Sequence, residues 1–219
     1  MKWNTVARYI PMYEQALWVV VQLGLWAILG SVLIGFLAAL ARHYRVPVAA
    51  RIAGVYIEIS RNIPSMVQLY FLYFALPMVG IRASGFTCAV VGLIFLGGSY
   101  MAEAFRSGLE SVTARQSEAA SSLGLTPRQV LHHVTLPQSI AVALPACTAN
   151  AIFLIKETSV VSIIAVVDLM ALTQNLIGMY YTSNEAYFLL VASYLVLLLP
   201  VSAGLRLLER RVRHASFGS

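Results

Sequence analysis

The chain has 219 residues, of which 59% are hydrophobic and 11% charged, with a mean hydropathy of +0.78 and a net charge of +6. A soluble domain carries about 25% charged residues, and a water-soluble fold of this size has nowhere to hide so much apolar surface. Composition therefore excludes an ordinary soluble protein and predicts an all-α integral membrane domain over residues 1–219, with about five crossings of roughly 20 residues each. A nucleic-acid partner is excluded as well: the basic residues sit at the ends of apolar runs, and no Lys/Arg face with interleaved aromatics is present.

Backbone groups in lipid must be bonded within their own segment, so five apolar runs are read as helices: 17–41, 48–79, 86–108, 139–167 and 186–208. The first is too long for a signal-peptide core and ends on Arg42, not on a small-residue cleavage site. It carries Ser31, Gly35 and Ala39 at four-residue spacing, a stripe that lets helices approach closely. The second is interrupted by Arg61-Asn62-Ile63-Pro64. Pro64 has no N–H for the helix ladder and disfavours helical geometry at Ile63, so a break is predicted there. The third ends on Glu103 and Arg106, spaced for a same-face ion pair. The fourth holds Pro145, Asn150 and Lys156-Glu157-Thr158-Ser159. Ile140 to Lys156 is about 24 Å of helix, and the piece beyond is too short to cross again, so a bend or re-entrant segment near Lys156 is expected.

Lys and Arg set the orientation. Arg42, Arg45 and Arg51 follow the first run, Arg106, Arg115 and Arg128 lie between the third and fourth, and Arg206, Arg210, Arg211 and Arg213 follow the fifth. The other side has Lys2, Arg8 and Arg82. The positive-inside rule places the N-terminus outside and the C-terminus in the cytoplasm. His43, His132, His133 and His214 fall on the cytoplasmic side, while Trp3, Tyr9, Tyr13, Trp18, Tyr180, Tyr181 and Tyr187 suit an outer aromatic belt. Asp168, Glu185 and Glu14 are acidic residues of the outer side.

Ionisable residues at membrane depth are costly and mark candidate functional positions. Lys156 and Glu157 point about 100° apart on a helix and cannot easily neutralise each other. A zwitterionic amino acid would serve both, with Lys156 on its carboxylate and Glu157 on its ammonium; alternatively they stabilise a helix break or an inter-subunit contact. Asn150, Thr158 and Ser159 add hydrogen-bonding groups to the same cavity or pack helices. Arg61 either pairs with Glu58, three residues before it, or lines the path. Cys88 and Cys147 lie in apolar runs and read as buried free thiols. Adjacent His132 and His133 face different ways with no ligand partners at suitable spacing, so no metal is expected. No acid, base and nucleophile set is visible, so no catalytic residues are assigned.

The cytoplasmic segment 109–138 carries the most information. Ala119, Ala120 and Leu123 favour a helix and Gly124 is placed to end it; Thr126, Pro127 and Gln129 form a helix start with a capping box. A projecting helix–turn–helix follows. Glu118-Ala119-Ala120, three residues, Gly124, nine residues, Val134, one residue and Leu136-Pro137 resembles the cytoplasmic loop signature of ABC importer permeases, with Val134 where Ile is usual. Arg61-Asn62-Ile63-Pro64-Ser65-Met66-Val67-Gln68 resembles a segment of the polar amino-acid (histidine/glutamine/arginine-type) branch, with Asn62 in place of Gly. Tyr100 to Gly108, Leu136-Pro137-Gln138 and Lys156-Glu157-Thr158-Ser159 resemble further segments of that branch, the last with Glu where Asp is common.

The resemblance implies a type I ABC importer permease fold and a multi-pass protein of the bacterial cytoplasmic membrane. It implies that Glu118, Ala119, Ala120, Leu123, Gly124, Leu136 and Pro137 couple the chain to an ATPase subunit. It further implies two ATPase copies, a second permease in a homo- or heterodimer, an extracytoplasmic binding protein and a polar amino-acid substrate. The chain has no Gly-x-x-x-x-Gly-Lys-Ser/Thr loop, so ATP-Mg is expected on the partner and no cofactor here. An autonomous channel or secondary transporter is the alternative, and a small membrane enzyme a third.

Overall fold

The structure, a computed structural model, describes residues 1–217, with side chains described for all but Ala114, Ser117 and 213–217. Arg213 and His214, counted above among the cytoplasmic charges, lie outside the described side chains. Every regular element among the described residues is helical: α1 (Trp3–His43), α2 (Pro47–Asn62), α3 (Ser65–Tyr70), α4 (Gly85–Ser111), α5 (Ala114–Ser122), α6 (Pro127–Val130), α7 (Leu136–Glu157), α8 (Leu169–Tyr180) and α9 (Ser183–Phe217). Four helices are long and apolar enough to cross a membrane, and the bent pair Pro47–Asn62 and Ser65–Val79 makes up to five.

The spine of the bundle is the packing of α1 along α4, with α7 packed against both: Gly97 of α4 faces Ser31 of α1 and Leu154 of α7. The small-residue stripe explains the closeness. Ser31, Gly35 and Ala39 are all buried, and a Cβ placed on Gly35 would come 2.5 Å from Met101 Cβ and 2.8 Å from the Ala102 backbone nitrogen. No larger residue lets these backbones meet.

The first helix begins at Trp3, well before the apolar run. Its early turns pack on α8 and α9 rather than on lipid. Tyr13 is 3% exposed; its hydroxyl donates to the Ala186 carbonyl and shares a second bond with the Thr173 hydroxyl, each at 2.8 Å. Tyr9 is buried too and lies beside Tyr180. These two tyrosines therefore belong to the core and not to an interfacial belt, whereas Trp3, Trp18, Tyr180, Tyr181 and Tyr187 are exposed. The region after the fourth run, read as a loop, contains α8. Asp168 caps it, accepting from the Met170 and Ala171 backbone N–H groups at 3.2 and 2.9 Å. Glu185 likewise accepts from the Lys2 backbone N–H at 2.6 Å. Asp168 and Glu185 thus hold local structure together. Cys88 and Cys147 are free thiols.

Two prolines leave the same mark. A π-helical turn, Phe71–Ala75, precedes Leu76-Pro77, and another, Leu131–Thr135, precedes Leu136-Pro137. A proline ring clashes with the carbonyl four residues back, and widening the preceding turn relieves that clash without ending the helix. As a result α6, the second π turn and α7 run on as one helix, where the sequence suggested a separate helix at Pro127.

Candidate functional site

The second crossing breaks at Ile63-Pro64, and its two arms are bent by 106°. Breaking a helix frees carbonyls at the end of the first arm. Gln68, from the second arm, returns to satisfy two of them: its Nε2 donates to the Ser60 and Ile63 carbonyls, both at 2.8 Å. The arm α2 is fixed to α4 by Ser60 Oγ and Tyr56 OH, which each donate to the Phe95 carbonyl at 2.8 Å. Across the gap, Ser65 at the start of α3 donates to Glu157 at the end of α7.

A cavity of about 260 Å³ opens at this break, walled by Arg61, Asn62, Ser65, Tyr100, Phe153 and Glu157. A second, of about 380 Å³, adjoins it through Arg61, Asn62 and Tyr100 and extends to Glu58, Glu103 and Arg42. The second is of small-molecule size, and both are lined by charged and polar side chains that an apolar bundle does not otherwise collect. Tyr100 is the aromatic member of the shared wall. Its ring carries the Arg61 guanidinium 5.3 Å from its centroid and meets Phe153 edge-on at 5.5 Å.

Arg61 does not pair with Glu58 as its spacing allows. Among the described residues it has no ion pair: the Tyr100 ring holds it, and Glu58 accepts instead from Asn62 Nδ2 at 3.2 Å. Glu103 and Arg106 do pair, at 2.8 Å, and the structure adds two partners. Arg42 reaches Glu103 at 2.7 Å from the end of α1, and Arg106 also binds Glu110 at 2.9 Å.

The remaining predicted pathway residues are dispersed. Glu157 lines the cavity; its neighbour Lys156 is exposed and forms no part of that wall. The helix turn of about 100° between them is the reason. Thr158 is fully buried and its hydroxyl donates to the Ile155 carbonyl at 2.8 Å. Asn150 and Ser159 are half-buried outside both cavities. Beyond Glu157 the helix tightens into a 3₁₀ segment, Thr158–Ile164, closed by Ala165 in the left-handed region. Sequence reasoning missed Tyr100 as a wall and Gln68 as a cap. The signal for Gln68 was there: a lone amide inside an apolar run, four residues past a helix-breaking proline.

The 109–138 segment follows its local code. Leu123 ends α5 and Gly124 follows at φ +86°. The Gly124 N–H donates to the Ser121 carbonyl at 2.9 Å and the Leu125 N–H to the Ala120 carbonyl at 3.3 Å, the bonding of a Schellman cap. Thr126 and Gln129 form the expected capping box, with the Thr126 N–H donating to Gln129 Oε1 at 2.8 Å. A second box, Thr113 with Gln116, starts α5. Glu118, Ala119, Leu123, Gly124 and Pro137 are exposed, Leu136 is half-buried and Ala120 is buried. Leu123 is the outlier, an apolar side chain 83% exposed at the tip of the turn.

Apolar crossings, one of them broken around a polar cavity, with a capped two-helix loop at one end, define a multi-pass membrane transport protein. Over residues 31–214 the sequence matches the family described as the binding-protein-dependent transport system inner membrane component, and the chain belongs to that family. It is similar to the glutamine transport system permease protein GlnP of Escherichia coli, 32% identical over 96% of this chain and 97% of the relative. The probable glutamine ABC transporter permease protein GlnM of Bacillus subtilis is 33% identical over 85% of this chain and 86% of the relative. Among solved structures, an amino acid ABC transporter with histidines superposes with a TM-score of 0.88 at 32% identity, covering 96% of this chain and 99% of that one. The MetNI methionine ABC transporter, at 18% identity and a TM-score of 0.78, shares the fold. A permease subunit of an ABC importer is thereby favoured over the autonomous channel or carrier that buried charges alone would allow.

Proposed function

We propose that this chain passes a polar amino acid across the cytoplasmic membrane as the permease subunit of an ATP-driven importer. The observation that carries this reading is the likeness, along almost the whole chain, to a glutamine permease. The cavity chemistry supports it. Arg61 and Glu157 offer one cation and one carboxylate to the same space, the complement of a zwitterion. In this reading Arg61 takes the carboxylate, and Lys156, on an exposed face, meets the second permease. Asn150, Thr158 and Ser159 shape the helix that carries Glu157.

The remaining parts are proposed from the family resemblance and the distribution of Lys and Arg. The N-terminus lies outside and the C-terminus in the cytoplasm, with the bent pair counted as one of five crossings. Two ATPase subunits hold ATP-Mg and perform the hydrolysis, and a second permease completes the pathway. An extracytoplasmic binding protein delivers the substrate. The α5–turn–α6 segment docks on the ATPase, with exposed Leu123 entering its surface.

The test is reconstitution in proteoliposomes with candidate ATPase and binding-protein partners, following uptake of radiolabelled glutamine, histidine and arginine. ATP-dependent uptake only with all partners present supports the reading, and Glu157→Ala then abolishes it while Lys156→Ala affects assembly. Transport without any ATPase would overturn it in favour of an autonomous carrier.

A further inference from the structure

The larger cavity holds more charge than its ion pairs use. Arg42, Glu103, Arg106 and Glu110 form a closed set, each bound to an opposite partner within 2.9 Å. Two groups in the same wall are left over. Arg61 rests on the Tyr100 ring, and Glu58 accepts only from the Asn62 amide and has no cation within ion-pair distance among the described residues. They stand three residues apart on α2 and still do not meet. The cavity thus presents a second cation and carboxylate pair, and Arg61 is common to both pairs, with Glu157 in the smaller cavity and Glu58 in the larger.

We propose that the larger cavity is a release subsite for the same zwitterion, in which Arg61 keeps the substrate carboxylate while the ammonium passes from Glu157 to Glu58. This rests on the reading of the smaller cavity as an amino-acid site. The two positions are graded. Glu157 is partly buried and bonded to Ser65, whereas Glu58 is exposed. An ion pair is weaker in the wetter setting, so the substrate steps from a tighter position to a looser one before entering water. A path needs such intermediate wells, strong enough to enter and weak enough to leave. Tyr100 is a positioning residue: by holding Arg61 over its ring it stops Arg61 from collapsing onto Glu58.

The experiment uses the assembled complex in nanodiscs, without nucleotide, loaded with radiolabelled glutamine (or whichever amino acid the uptake panel returns) and chased with unlabelled ligand. Glu58→Gln should slow release about fivefold, what one exposed ion pair is worth, and Glu58→Asp should restore it. Glu157→Gln should do the opposite and speed release. A general loosening of the fold would speed both, so the opposite signs are the signature. Release from Glu58→Gln at the wild-type rate or faster overturns the release subsite. Release from Glu157→Gln at the wild-type rate instead overturns the smaller cavity as the amino-acid site.

Discussion

Ser65 and Glu157, 92 residues apart in sequence, are joined by a hydrogen bond of 2.5 Å that ties the start of the second arm of the broken crossing to the end of α7. A bond to a carboxylate is worth more than a neutral one. Ser65→Ala and Glu157→Ala should each lower the melting temperature of the purified protein. A double-mutant cycle should return a coupling of about 1 kcal/mol. Strict additivity of the two changes would show that the bond contributes nothing.

Two glycines give a matched test of packing. Gly35→Ala puts a methyl against the Ala102 backbone, which cannot move aside, and should cost about 1–3 kcal/mol. Gly54, inside α2, has nothing within 4 Å of an added Cβ. Gly54→Ala should therefore raise stability by up to about 1 kcal/mol through helix propensity. Thermal unfolding in detergent measures both, and equal effects would contradict the α1–α4 contact.

The turn between α5 and α6 isolates a purely conformational effect. Gly124 also has open space around it, so any penalty there comes from φ +86° and not from a clash. Gly124→Val should cost about 1–2 kcal/mol locally, and Gly124→Asn far less, since Asn tolerates the left-handed region. Co-purification of the ATPase should be lost in the first and kept in the second, with the membrane helices unfolded in neither.

The Arg42–Glu103 pair ties the end of α1 to α4 about two turns before its last residue, with both side chains about a quarter to a third exposed. Arg42→Gln should cost about 1 kcal/mol in dilute buffer. In 1 M salt, where the screening length is about 3 Å, the difference in melting temperature from wild type should shrink. A gap independent of salt would assign the loss to packing of the arginine stem.

What the sequence disclosed was whatever short-range chemistry decides. Pro64 lacks an N–H wherever it sits, Gly124 is suited to its left-handed turn, and Thr126 and Gln129 close their box within four residues. The stripe of Ser31, Gly35 and Ala39 announced a close contact without naming α4 as the partner. Failures came where a distant group intervened. Arg61 and Glu58 have pairing distance by sequence, but Tyr100 from another helix takes the guanidinium. Tyr9 and Tyr13 look interfacial until α8 and α9 cover them. The helix α8 was lost because it is too short to cross a membrane, although Asp168 before Leu169-Met170-Ala171 is a legible cap.

Because the helix does not stop between Pro127 and Glu157, the chain there is a rod on the order of 45 Å long at 1.5 Å per residue, with soft joints at the π turn and at Pro145. No loop lies along it to absorb a displacement. A push on its Pro127 end arrives at Glu157 as a tilt about those joints, and the length of the arm beyond them sets how far the carboxylate swings.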